Sequence, residues 1–401
     1  MGGLRPSMLP PMRTAPLLIL LGALSLGAET TQPAETTQPA ETSQPAPAVT
    51  SEPGRSFEAL PAPASPTWTA DTPVSTVLAA LGESAPSHGV ESDEALVQAG
   101  FELFTVGITV APDGKTVTKQ SKAFVCTDCH NMVREDPDLR VSDPEARLDY
   151  AEENDLAFLP GTTLYGTVNR TSWFNDDYVK KYGDMVKPAN DSLVEAIQLC
   201  STECSQGRAL TDWEMQAMLA FLWSRELRWS DLPADGGISL AQAEAAASGT
   251  DEQRADARAA VHALFLAASP ATFSEPPAEH GRKDAGYGLE GDAERGSVVY
   301  ERACTHCHGK GGPSIYKLND GRCKYGELRM NQGMNTHWSF YVAIREGTHP
   351  SGGRYMPLFT LERMSDQQIA DLEAWIEARA TGEVKKGEID PAHTRHFPET
   401  P

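Results

Sequence analysis

Residues 296–309 read "GSVVYERACTHCHG", and residues 126–130 read "CTDCH". Both stretches contain C-x-x-C-H, the attachment sequence of c-type haem. In that chemistry two thiols form thioethers to the porphyrin vinyl groups, and the adjacent imidazole is held against the iron. The expectation is therefore two covalently bound haem c groups. Cys126, Cys129 and His130 would hold one and Cys304, Cys307 and His308 the other, with His130 and His308 as proximal iron ligands. A bare C-x-x-C would equally suit a thiol redox pair or half a zinc site, but the trailing histidine in both copies favours haem. His306, inside the second motif, reads as a spacer.

Working outward from the second motif, Gly296 and Tyr300 precede Cys304 at four-residue steps, which marks one face of a helix leading into it. Downstream lie "THWSFYVAIREGTHPSGGRYMPLF" (336–359) and "SDQQIADLEAWIEARA" (365–380). In the latter Ser365 and Gln368 form a capping box, and Ile369, Leu372 and Ile376 keep the helical period. Residues 286–382 thus resemble a class I cytochrome c domain: opening helix, haem motif, inner helix ending near Gly347, Met-Pro loop and closing helix. The resemblance implies Met356 as the distal ligand of the second iron, and a His/Met pair raises the haem potential. Met330 and Met334 are weaker alternatives because they lack the Met-Pro loop.

The segment 88–230 repeats this scheme. Gly100 and Phe104 stand like Gly296 and Tyr300, and "TDWEMQAMLAFLWSREL" (211–227) has its own capping box in Thr211 and Glu214. The methionines of that helix, Met215 and Met218, fall on its apolar stripe and read as core. "VGITVAPDGKTVT" (106–118), alternating Val, Ile and Thr around Pro112, Asp113 and Gly114, predicts a β-hairpin inserted before the motif. The fold class expected is mainly α, with two class I cytochrome c-like helical domains, a hairpin in the first, and a disordered N-terminal tether.

The closing helix also serves as a ruler for the first distal ligand. Met356 lies nine residues before Ser365, and nine before Thr211 is Thr202, which Cys200 and Cys204 bracket. Met185, 26 residues before Thr211, is too far. The run "IQLCSTECSQGRAL" (197–210) resembles the distal-cysteine segment of dihaem thiosulfate dehydrogenases and related sulfur-oxidation cytochromes, with Gly207 and Arg208 matching their basic Gly-Arg/Lys. That resemblance implies Cys200 as a metal ligand of the first haem. Cys204 remains an alternative ligand, and a Cys200–Cys204 disulfide or two inert thiols remain open. Four-residue helical spacing suits the α-carbons of a disulfide, but the β-carbons fit only if the segment is a turn. Cys323 has no evident partner and reads as a buried thiol, although a bond to Cys204 stays open.

Between these modules, 231–285 reads as a connector with one helix in "DARAAVHALFLAAS" and His262 as a packed histidine. The N-terminus carries Arg13, an apolar run over about 17–26 and small residues at 27 and 28, the pattern of a signal peptide over 1–28, with an uncleaved anchor as the alternative. Tandem "TTQPAE" repeats follow, in a Pro/Thr/Ala-rich linker over 29–85 that cannot bury a core, and 383–401 is a tail.

With a net charge of −22, nucleic acid is excluded as a natural partner and basic or neutral redox proteins are favoured. No stable membrane span is expected. The sequence predicts an exported dihaem carrier between periplasmic redox partners. The alternative is an oxidoreductase for a small sulfur anion of the thiosulfate or tetrathionate class, with Arg170 and Arg208 as anion contacts. Tyr165, Trp173, Phe174 and Tyr178 would wall the first haem.

Overall fold

The computed structural model describes residues 68–274, 289–318, 322–332, 340–348 and 355–385. The signal peptide, the repeats, Met334 and nearly all of the tail lie outside them, as does the Cys323 side chain.

Two helix pairs, built alike, hold the two C-x-x-C-H motifs. In order, the longer helices are α1 (Val74–Ala80), α2 (Glu94–Thr105), α3 (Pro144–Glu153), α4 (Asp176–Tyr182), α5 (Leu193–Leu199), α6 (Asp212–Trp223), α7 (Leu240–Ala247), α8 (Asp251–His262), α9 (Ala293–Val299), α10 (Arg322–Gln332), α11 (Phe340–Arg345) and α12 (Asp366–Thr381). Helix α2 packs across α6, and α9 across α12. Both crossings are set by the glycines read from the sequence. A Cβ on Gly100 would sit 2.7 Å from Phe221 Cβ, and one on Gly296 would sit 2.9 Å from Leu372 N. Only a residue without a side chain lets the backbones approach this closely.

Phe104 packs on Phe221, with ring centroids 5.3 Å apart, and Tyr300 on Tyr325 at 5.4 Å. Each closing helix starts at its capping box. Thr211 N donates to Glu214 Oε2 at 2.8 Å, and Ser365 N to Gln368 Oε1 at 2.9 Å. Asp93 and Asp292 cap the opening helices. Met215 and Met218 are buried in the core between α2 and α6, as their spacing predicts.

The architecture is helical, and no β-strand occurs among the described residues. The predicted hairpin is a chain reversal with one bridge, Val110 to Thr116, closed by Val117 N to Thr109 O at 2.9 Å. Gly107 and Thr109 of the first arm are buried, but Val110 is exposed and residues 115–118 of the second arm bury no side chain, so there is no shared buried face on which a longer ladder could build.

Folded chain begins well before residue 85. Val74, Val77, Leu78 and Leu81 repeat at i, i+3, i+4, i+7, and all four are buried in a core shared with Leu227, Ala243, Val261 and Phe265. The linker expected over 29–85 therefore gives way by residue 68. The expected connector is itself folded, carrying two capped helices, α7 and α8, in place of one. His262 is less buried than its apolar stripe suggests, because its Nε2 sits 2.6 Å from Glu83 Oε2.

The core of the C-terminal module also recruits earlier chain. Leu148 and Ala151 of α3, with Phe158, pack among Tyr300, Leu372 and Trp375. A buried ionic cluster stands beside this seam. Arg363 Nη1 contacts Glu135 Oε1 at 2.6 Å, and its other nitrogens donate to Leu159 O and Gly161 O. Arg147 lies 4.0 Å from the same carboxylate and over the Phe158 ring at 3.8 Å.

Candidate functional site

The first motif is a tight turn. Residues Cys126–Asp128 form a single 3₁₀ turn, capped by Val125 N donating to Asp128 Oδ2 at 2.8 Å, and His130 N returns to Cys126 O at 3.0 Å. That turn directs Cys126, Cys129 and His130 into one cavity of about 1560 Å³ of empty space, its open mouth included. Most of its wall is apolar, with Phe104, Phe124, Leu164, Trp173, Leu193 and Met218.

The residues around His130 fit a haem. Its Nδ1 lies 2.6 Å from Thr162 O, a carbonyl that can only accept, so Nδ1 carries the proton and Nε2 keeps the lone pair a metal needs. Burial lowers the His130 pKa and so favours this neutral form. A Cβ on Gly161 would stand 2.6 Å from Nδ1 and 2.8 Å from Cys129 O, so that glycine leaves the space the imidazole occupies. Inside the cavity, Gln120 is 4% exposed and its Oε1 finds no hydrogen-bond partner.

Cys200 and Cys204 line this same cavity. Helix α5 runs into a π-helical turn over Cys200–Cys204, closed by Ser205 N to Cys200 O at 2.8 Å. Gln120 Nε2 clamps the turn by donating to Ser201 Oγ at 2.8 Å and Ser205 Oγ at 2.7 Å. Both cysteines are free thiols, Cys200 half-buried and Cys204 exposed. The Cys204 thiol is hydrogen-bonded to Cys200, and that bond, with burial of its sulfur, holds its pKa well above the usual thiol range. The two sequence-predicted halves of the site, 70 residues apart, are thus brought together.

Of the aromatic residues expected to wall the cavity, Trp173, Phe174 and Tyr178 do so. Tyr165 does not: its hydroxyl donates to Asp231 Oδ2 at 2.8 Å. Neither Arg170 nor Arg208 lines the cavity. Arg208 is committed to Glu214, with Nη1 at 2.8 Å from Oε2, and to the Thr118 carbonyl. Met185 is about half exposed and Met330 two-thirds exposed, and neither is in the cavity wall.

The second motif closes a π-helical turn, Tyr300–Cys304, and a short helical turn, Thr305–His308. His308 repeats the orientation of His130, with Nδ1 2.7 Å from Tyr316 O and a pKa lowered by burial. Met356 packs against the core around Tyr300 and Trp375, and Thr348 holds its backbone at both ends. Met356 N donates to Thr348 Oγ1 at 2.7 Å, and Thr348 N to Met356 O at 3.1 Å.

Two contacts not anticipated from the sequence join the motifs. Cys307 Sγ lies 3.7 Å from Asp128 O, inside the first motif. Tyr355, next to Met356, lines the first cavity and donates its hydroxyl to Cys204 O at 2.7 Å. Nothing local in the sequence signals either contact, because each depends on how distant segments pack.

A C-x-x-C-H turn whose histidine presents a free Nε2, set in a helical module, defines a c-type cytochrome. Residues 291–376 match the family model described as cytochrome c oxidase, cbb3-type, subunit III. The match supports a cytochrome c domain at this end of the chain, and such a domain implies covalently bound haem c, electron transfer and redox proteins as partners. No curated protein and no solved structure matches the chain. Among the described residues no helix is long and apolar enough to cross a membrane.

Proposed function

We propose that the protein is an exported dihaem c-type cytochrome that relays electrons between periplasmic redox proteins. Residues 88–230 would hold one haem at Cys126, Cys129 and His130, and residues 286–382 the other at Cys304, Cys307 and His308. The observation that carries this reading is the 3.7 Å contact between Cys307 Sγ and the Asp128 carbonyl, which sets the two attachment turns side by side. Each bound haem supplies a one-electron couple. The chain orients both proximal imidazoles through carbonyls and excludes water with an aromatic wall. Cys200, with Cys204 as the alternative, offers a thiolate to the first iron, and Met356 a thioether to the second. An anionic ligand favours ferric iron and a thioether raises the potential, so electrons run from the first haem to the second.

The test is haem stoichiometry with a potentiometric titration. The wild-type holoprotein is expected to hold two haems with two separated potentials, and Cys126→Ala/Cys129→Ala to keep only the higher. A single haem in the wild type would sink the proposal.

A second reading, an oxidoreductase for thiosulfate-type anions, draws support from the two thiols sharing the His130 cavity. It predicts turnover that Cys200→Ala abolishes. The commitment of Arg208 to Glu214 removes one expected anion contact and makes the carrier the better-supported reading.

A further inference from the structure

We infer that Glu135 is a positioning residue that lowers the potential of the first haem, acting on His130 through the peptide between Thr162 and Thr163. It deepens the dihaem reading and rests on it, since a potential at His130 exists only where the first motif holds haem.

One peptide unit joins the carboxylate to the imidazole. Its carbonyl, Thr162 O, accepts from His130 Nδ1 at 2.6 Å, and its amide, Thr163 N, donates to Glu135 Oε1 at 2.7 Å. A peptide is conjugated, so a carboxylate accepting from its N–H raises the electron density on its carbonyl oxygen. That oxygen then accepts more strongly from Nδ1–H, the imidazole becomes more basic at Nε2, and ferric iron is favoured. The charge that drives this is fixed by contacts. Glu135 is 1% exposed, accepts from Arg363 Nη1 at 2.6 Å and from Asn131 Nδ2 at 3.0 Å, and has Arg147 4.0 Å away.

The peptide is also held in line. Thr163 Oγ1 donates to Val133 O at 2.6 Å, Leu164 N to Asn131 O at 2.8 Å, and Arg363 Nη2 to Gly161 O at 2.6 Å. Among the described residues no second donor reaches Thr162 O.

The second motif is built the opposite way. His308 Nδ1 also meets a carbonyl, Tyr316 O, at 2.7 Å, but the Ser314 hydroxyl donates to that same oxygen at 3.0 Å. A carbonyl shared between two donors accepts less strongly from each. Among the described residues no carboxylate accepts from the following amide, Lys317 N. The two proximal histidines therefore differ in basicity whatever the distal ligands are, in the sense that sends electrons from the first haem to the second.

The holoprotein, carrying isotopically labelled histidine, would be titrated potentiometrically, and the Nδ1 protons of its two haem histidines followed by nuclear magnetic resonance in the reduced form. Glu135→Gln should raise the potential that Cys126→Ala/Cys129→Ala removes, by about a tenfold change in the ratio of reduced to oxidised haem, or about 59 mV. The other potential should stay, and one Nδ1 signal should move upfield. The single variant also leaves a surplus guanidinium, which raises a potential through space and weakens the fold. Glu135→Gln/Arg147→Met removes one charge of each sign, so the cluster keeps its net charge while Thr163 N loses its carboxylate. This double variant should keep both the raised potential and the shifted Nδ1 signal. A wild-type potential and Nδ1 signal in the double variant would overturn the inference, as would no shift in the single variant. Equal movement of both potentials would overturn it too, because a general loosening of the fold acts on both haems. A wild-type holoprotein with one haem would defeat the haem reading and the inference with it.

Discussion

Replacing Glu135 with Gln removes one negative charge from the buried cluster and changes almost no volume. Glu135 is 1% exposed, Arg147 1% and Arg363 3%. Its carboxylate accepts from Arg363 Nη1 at 2.6 Å, Thr163 N at 2.7 Å and Asn131 Nδ2 at 3.0 Å. Burial opposes its ionisation, but Arg363 and Arg147 outweigh burial and hold the carboxyl at about 2, against an ordinary 4.5. A carboxyl depressed in the folded state stabilises the fold above its unfolded pKa and loses that contribution as pH falls through the folded one. Here the contribution is about 3 kcal/mol at neutral pH, lost between pH 4.5 and 2.

Leaving two buried guanidinium groups short of a counter-charge costs a similar amount, about 3–5 kcal/mol. In Glu135→Gln, denaturant unfolding of the holoprotein at pH 7 should therefore give a stability lower by about 3 kcal/mol. The gap between variant and wild type should narrow as the pH is taken from 5 towards 2. A loss below about 1 kcal/mol at pH 7, or a gap that does not change with pH, would refute the account of the cluster as a stabilising, ionised network.

Three further outcomes are expected. Gly161→Ala pushes a methyl into His130, so the first haem should lose its low-spin absorption spectrum while the second keeps its own, and two unchanged spectra would disprove the close approach. Tyr355→Phe removes the hydroxyl that holds Cys204 O and should cost about 1 kcal/mol. It should also alter the electron paramagnetic resonance signal of the first haem, although Tyr355 adjoins the proposed ligand of the second. Thr211→Ala, at the start of α6, should lower the thermal midpoint by an amount equivalent to about 1 kcal/mol, and Thr211→Ser should restore most of it.

The sequence by itself determined the two C-x-x-C-H turns, the helix pairs around them and the caps that start the closing helices. These rest on local chemistry: C-x-x-C-H acts over five residues, a capping box over four, and an apolar stripe reports its own helix whatever it packs against. Gly100 and Gly296 were legible for the same reason, since each stands one turn before an aromatic on the opening helix. Helix α1 was equally legible in the i, i+3, i+4, i+7 pattern that runs from Val74 to its cap Leu81, but the prolines around it masked the signal.

Tertiary structure alone decided what lies opposite what. It placed Cys200 and Cys204 in the His130 cavity, gave their turn a π-helical pitch that four-residue spacing does not specify, and committed Arg208 to Glu214. It also set Cys307 against Asp128, Tyr355 against Cys204 and Arg363 against Glu135, pairs separated by 179, 151 and 228 residues. Contacts at such separations depend on the packing of whole helices, and no short-range pattern encodes them.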